Sequence, residues 1–125
     1  MKIIVRPVFS KLVPHEQLAR LQLPEGWTLH AQQWQTYQAL LDPDIDVVFN
    51  TAMTGDGKSL AAYLPVLQDP LHHAVIGMYP TNELIADQGR QVEHYRRAFK
   101  VTTPYTTMDA QRITEYASHQ DITER

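Results

Sequence analysis

The segment A-M-T-G-D-G-K-S, residues 52–59, constrains this chain of 125 residues more than any other. It follows the pattern G-x-x-x-x-G-K-[ST], with Ala52 in the first position, Gly57, Lys58 and Ser59 in the last three, and Gly55 as an extra glycine. Glycines let such a loop turn tightly, so that successive N–H groups point inward at phosphate oxygens. A helix starting directly after the loop adds its positive N-terminal end. Lys58 would reach the β- and γ-phosphates of a nucleotide, and Ser59 would hold Mg²⁺ through its hydroxyl. The candidate nucleotide-binding residues are therefore Ala52, Thr54, Gly55, Asp56, Gly57, Lys58 and Ser59. Lys58 and Ser59 are the two that would act on the reacting phosphates, with Ser59 meeting the metal. Asp56 must turn its carboxylate outward, since a negative charge there repels the ligand. The competing reading is a chance G-x-G-K-S turn on a surface loop, and the flanking pattern argues against it.

That pattern is an apolar run before the loop and a helix after it. Residues 46–51 (D-V-V-F-N-T) have the character of a buried strand, and residues 58–67 read as a helix whose last turn Pro65 would disturb. A second buried strand is expected at residues 73–79 (H-A-V-I-G-M-Y) and a third, short one at 100–103. Between them, residues 81–99 predict a helix capped by Thr81 and anchored early by Leu84. A further helix is expected at 109–117. Upstream, residues 2–9 suggest a strand that Pro7 confines to an edge, 15–21 a short helix, and 23–26 a loop. Residues 30–41 place Trp34, Tyr37, Leu40 and Leu41 on one helical face, ended by Pro43. Strands alternating with helices predict an α/β fold with a mainly parallel sheet flanked by helices.

The absence of cysteine excludes disulfides and cysteine metal sites and fits a reducing compartment. No apolar stretch approaches a membrane span, and the first 14 residues lack the apolar core and cleavage site of a signal peptide. The expectation is a cytoplasmic protein without a membrane partner. The net charge of −3 argues against strong nucleic-acid affinity in this chain alone, though it leaves room for a local basic surface. Arg90, Arg96, Arg97 and Lys100 form such a cluster. The interleaved Asp87 and Glu93 favour a solvated helix face over a track for a phosphate backbone. The six histidines, including His72, His73 and His94, make no metal signature. Glu93 and His94 are sequence neighbours and point to different faces.

Residues 80–88 read P-T-N-E-L-I-A-D-Q, directly after the second apolar run. The form A-x-T-G-x-G-K-[ST], followed by P-T-x-E-L-x-x-Q, resembles motifs I and Ia of superfamily 2 helicases. The resemblance implies a partial RecA-like phosphate-loop domain with ATP and Mg²⁺ as cofactors. It also implies that Pro80, Thr81 and Glu83 lie along the nucleic-acid backbone, where a helix N-terminus with a free hydroxyl can meet a phosphate. Upstream, L-H-A-Q-Q-W-Q (residues 29–35) resembles the segment in which a glutamine reads the adenine edge. Gln33 is the first choice and Gln32 the alternative, because an amide offers both a donor and an acceptor. Trp27 and Trp34 could lie near the base, but core packing is the stronger reading for either.

A narrower resemblance lies in F-N-T-A-M-T-G-D-G-K-S-L-A-A-Y-L-P, residues 49–65. It is similar to the CRISPR interference helicases of the cyanobacterial, type I-D kind, which begin close to the helicase domain with no fused HD nuclease. This implies ATP-driven 3′-to-5′ unwinding and translocation on DNA after recruitment to a CRISPR RNA-guided complex. Single-stranded DNA, subunits of that complex and a separate nuclease subunit would be the partners. No D-E-x-[HD] box follows Lys58, since Asp109, Glu115 and residues 121–124 lack both the sequence and the preceding apolar strand. The expectation is an N-terminal portion of a longer helicase, with residues 1–27 a lead-in and 28–125 the front of the first motor domain. It would bind nucleotide weakly and not turn it over. Two other readings compete. In one, the chain is a non-catalytic docking fragment whose residues 2–9 pair with a partner's sheet edge. In the other it is a small nucleotide kinase, against which P-T-x-E-L argues.

Overall fold

The computed structural model describes residues 11–52 and 57–119. The strand expected at 2–9 and the loop positions Thr54, Gly55 and Asp56 lie outside the described residues. Two compact units divide the chain, the first running to Val75 and the second beginning at Ile76. The first holds helices α1 (His15–Leu18), α2 (Ala31–Leu41) and α3 (Lys58–Gln68), and the second α4 (Asn82–Phe99) and α5 (Ala110–His119).

The first unit is built on α2 packed against α3. Leu60, Ala61, Leu64 and Leu67 recur at helical spacing on α3 and are buried together with Pro65. Val13, Leu18 and Leu29 complete this core. The lead-in segment is drawn into it by two backbone bonds. Val13 donates to the Leu29 carbonyl at 2.8 Å and Ala31 to the Lys11 carbonyl at 2.7 Å. They make a single antiparallel bridge between Leu12 and His30, just ahead of α2. At the far end of α3, the Gln68 amide accepts from Gln22 N–H at 2.8 Å and donates to the Gln22 carbonyl at 3.2 Å. Pro65 does not disturb the last turn as expected. α3 continues to Gln68, and Asp69 N–H bonds the Pro65 carbonyl at 2.9 Å. A proline removes its own N–H bond, and here the buried face around it holds the helix. The helix expected at 15–21 is shorter, ending at Leu18.

In the second unit Thr81 caps α4, its hydroxyl oxygen accepting from Leu84 N–H at 3.2 Å. The helix ends at Lys100, which adopts the left-handed conformation at φ 57°. Lys100 N–H returns to the Arg97 carbonyl at 3.2 Å and Val101 N–H to the Arg96 carbonyl at 2.9 Å. This paired closure satisfies two of the last carbonyls of the helix. The Arg96 guanidinium donates to the Thr102 carbonyl at 3.3 Å and lies 5.1 Å from the centre of the Tyr105 ring. Asp109 opens α5 by accepting from Arg112 N–H at 2.8 Å.

The expected α/β architecture with a mainly parallel sheet is overturned. The regular elements among the described residues are all helices, and the one bridge at Leu12 and His30 is their only strand-like pairing. Among the described residues, the runs at 46–51 and 73–79 form no ladder. Phe49 is 87% exposed, and Ile76 and Met78 are each 89% exposed. Apolar, β-branched composition reports a capacity for burial, while a strand exists only where another backbone supplies its hydrogen bonds. Residues 100–103 are used instead to close α4.

Three substitutions test this description. Leu64→Ala should destabilise the chain by about 3 kcal/mol in urea unfolding, since the side chain is fully buried. Leu71→Ala, at an exposed position, should stay within about 0.5 kcal/mol. Lys100→Gly should leave α4 intact and stabilise it by about 1 kcal/mol, because a left-handed residue with a Cβ carries that strain.

Candidate functional site

Gly57 occupies the turn into α3 with φ 69°, a left-handed conformation that suits glycine. Its carbonyl accepts from Ala61 N–H at 3.2 Å, inside the helix, and from the Gln33 side-chain amide at 3.1 Å. A Cβ at this position would collide with the same Gln33 nitrogen. Gln33 is 4% exposed, a polar side chain in the core of the unit. Its Oε1 accepts from His30 N–H at 2.9 Å, so one amide ties the start of α2 to the start of α3.

The loop is closed across its ends as well. Lys58, the first residue of α3, folds back so that Nζ donates to the carbonyl of Ala52. Ala52 N–H in turn donates to Asn50 Oδ1 at 3.1 Å. The Asn50 amide donates to Gln32 Oε1 at 3.2 Å and to Thr36 Oγ1 at 3.0 Å. Ser59 is half-buried in the first turn of α3. Of the residues singled out in the sequence, the structure thus brings together Gln33, Ala52, Gly57, Lys58 and Ser59. The two glutamine candidates separate by partner: Gln33 bonds the end of the loop, and Gln32 bonds Asn50 at its beginning. Sequence reasoning missed Asn50 and Thr36. The available signals were a polar residue closing the apolar run at 46–50, and a hydroxyl one helical turn after Gln32. Trp27 is half-buried, and Trp34 stacks on Tyr37 with ring centres 5.7 Å apart. Burial first, and the nearby Asp69 carboxylate second, push the Tyr37 hydroxyl up.

In the second unit Pro80, Thr81 and Glu83 are exposed around the N-terminus of α4. The Thr81 oxygen is engaged by Leu84 N–H, which leaves the hydroxyl hydrogen for a further partner. Glu83 places a negative charge in the first turn, which favours the helix end and opposes an anion there. The basic cluster is internally matched. Arg90 pairs with Asp87 at 3.1 Å, while Arg96 and Arg97 both pair with Glu93, at 2.9 and 2.8 Å. The hydrogen bond from Arg97, aided by Arg96, holds the Glu93 carboxyl below its usual range against an opposing desolvation. Among the described residues, no helix is long and apolar enough to cross a membrane.

With this geometry in place, comparison with known proteins adds one finding. The sequence model of the DEAD/DEAH box helicase family matches residues 30–123, most of the chain. No curated protein and no solved structure matches.

Gly57→Ala should destabilise the chain by about 1–2 kcal/mol, combining left-handed strain with displacement of the Gln33 amide. The cost should shrink when Gln33→Ala is already present, because the collision is then gone. Thermal unfolding of the two single variants and the double variant measures this. Strict additivity would exclude the contact.

Proposed function

Because the chain belongs to the DEAD/DEAH box helicase family, a family of ATP-dependent superfamily 2 helicases, we propose that residues 52–59 and Gln33 form its site for ATP and Mg²⁺. The observation that carries this reading is the closure of the loop. Lys58 Nζ reaches across it to Ala52, and the Gly57 carbonyl bonds the Gln33 amide. An ammonium group, an amide and the opening turn of α3 are thereby gathered around one loop. The residue types fit the ligand. Lys58 would counter the charge of the β- and γ-phosphates, and the first N–H groups of α3 have no carbonyl a turn ahead of them. The Ser59 hydroxyl would ligate Mg²⁺, and Gln33 would present its amide to the adenine edge. Mg²⁺, when bound, supplies charge neutralisation at the phosphates. Gln33 bonds the Gly57 carbonyl and Lys58 the Ala52 carbonyl, and each group carries further donor hydrogens for a ligand.

The polymer in this proposal is single-stranded DNA, running past Pro80, Thr81 and Glu83. The setting is CRISPR interference, with an RNA-guided complex and a separate nuclease subunit as partners. Its support is the resemblance of residues 49–65 to the type I-D interference helicases.

Calorimetry with a non-hydrolysable ATP analogue and Mg²⁺ tests the site. Lys58→Ala should weaken binding by about tenfold or more, because it removes a charge-assisted contact to phosphate. Equal affinity in variant and wild type would end the ATP reading. Preference for an RNA over a DNA oligonucleotide would end the CRISPR reading and leave the ATP site standing.

A further inference from the structure

The Asn50 side chain makes three hydrogen bonds at the entrance to the loop, and the proposed chemistry uses none of them. Its Oδ1 accepts from Ala52 N–H at 3.1 Å, the local turn by which an asparagine fixes the backbone two residues on. Its Nδ2 donates to Gln32 Oε1 at 3.2 Å and to Thr36 Oγ1 at 3.0 Å. Gln32 and Thr36 are four residues apart on α2, so they lie on one face of it. Ala52, fixed in this way, offers its carbonyl to Lys58 Nζ.

We infer that Asn50, gripped by Gln32 and Thr36, is a positioning residue that sets where the phosphate loop begins and thereby where the Lys58 ammonium sits. The inference rests on the ATP reading above and deepens it. Helix α2 brackets the loop: Gln33 holds its end through Gly57, and Gln32 and Thr36 hold its beginning through Asn50. This gives the two adjacent glutamines different tasks. With Gln33 as the adenine reader, Asn50 acts on the nucleotide through Ala52 and Lys58, so its loss should be felt at the phosphates and not at the base.

The test uses Asn50→Ala and Thr36→Val, the second of which keeps side-chain shape and removes only the hydroxyl. Amide hydrogen exchange of Ala52 is measured without nucleotide. Affinities for the ATP analogue with Mg²⁺ and for adenosine are measured by calorimetry. In each variant, Ala52 should exchange about tenfold faster, and analogue affinity should fall about tenfold with adenosine affinity unchanged. The double variant should be no worse than Asn50→Ala, because both changes act through one cluster. Unchanged exchange and an unchanged analogue-to-adenosine ratio, with Lys58→Ala still defective, would overturn the inference. Equal loss of both ligands would overturn it too, as the mark of general damage. No analogue binding by the wild type overturns the ATP reading instead, and the Ala52 exchange rate then still decides whether this cluster sets the loop.

Discussion

The hydrogen bond from the Gln33 amide to the Gly57 carbonyl is the contact on which the first unit's geometry depends. A buried amide is costly unless its donor and acceptor are both matched. Gln33 meets that condition by joining His30 N–H, at the start of α2, to Gly57, at the start of α3. The bond requires a residue at position 57 that turns left-handed and has no Cβ in the way. Gly57 therefore satisfies two demands at once: the turn of the loop and the approach of a helix.

From that contact the apolar arrangement follows. Leu60, Ala61, Leu64 and Leu67 present one stripe of α3 to the core, which fixes the rotation of the helix about its axis. With this stripe buried, Lys58 and Ser59 are left at the open start of the helix, only partly covered. Packing energy from the buried leucines thus orients two polar residues that lie outside the apolar stripe. Hydrophobic burial is non-directional, so direction is supplied by the amide and asparagine bonds from α2.

Local signals in the sequence were sufficient to place the helices, though not the end of α1 or the course of α3 past Pro65. Thr81 caps α4, the chain leaves α2 just before Pro43, and α3 starts at Lys58, directly after the loop. The phosphate-loop residues could be named for the same reason, since glycine, lysine and serine at fixed spacing form a local pattern. The strands could not be read in this way. Val47, Phe49, Ile76 and Met78 mark apolar chain, but pairing depends on a second backbone that composition does not reveal. Lys100 misled for a related reason, since a left-handed helix cap is usually glycine and a lysine there carries no cap signature. Gln32 and Gln33 are adjacent in sequence, and successive helical residues point about 100° apart, so only the placement of α2 decides which end of the loop each one meets.

Charge along α4 is balanced within the helix itself. Its arginines are matched by carboxylates three and four residues away, so the free helix has little local excess. The pairs of Arg90 and Arg97 involve guanidinium groups that are mostly in water, where an ion pair is weak and screened by salt. Such a pair can be exchanged for a phosphate contact at small cost. Arg96 differs: it is largely covered, bonds the Thr102 carbonyl and lies against Tyr105. Exchange there would loosen the segment that closes the helix. The four basic residues therefore do not form one functional cluster. Arg90 and Arg97 hold exposed ion pairs, Arg96 is committed to the fold, and Lys100 forms the cap.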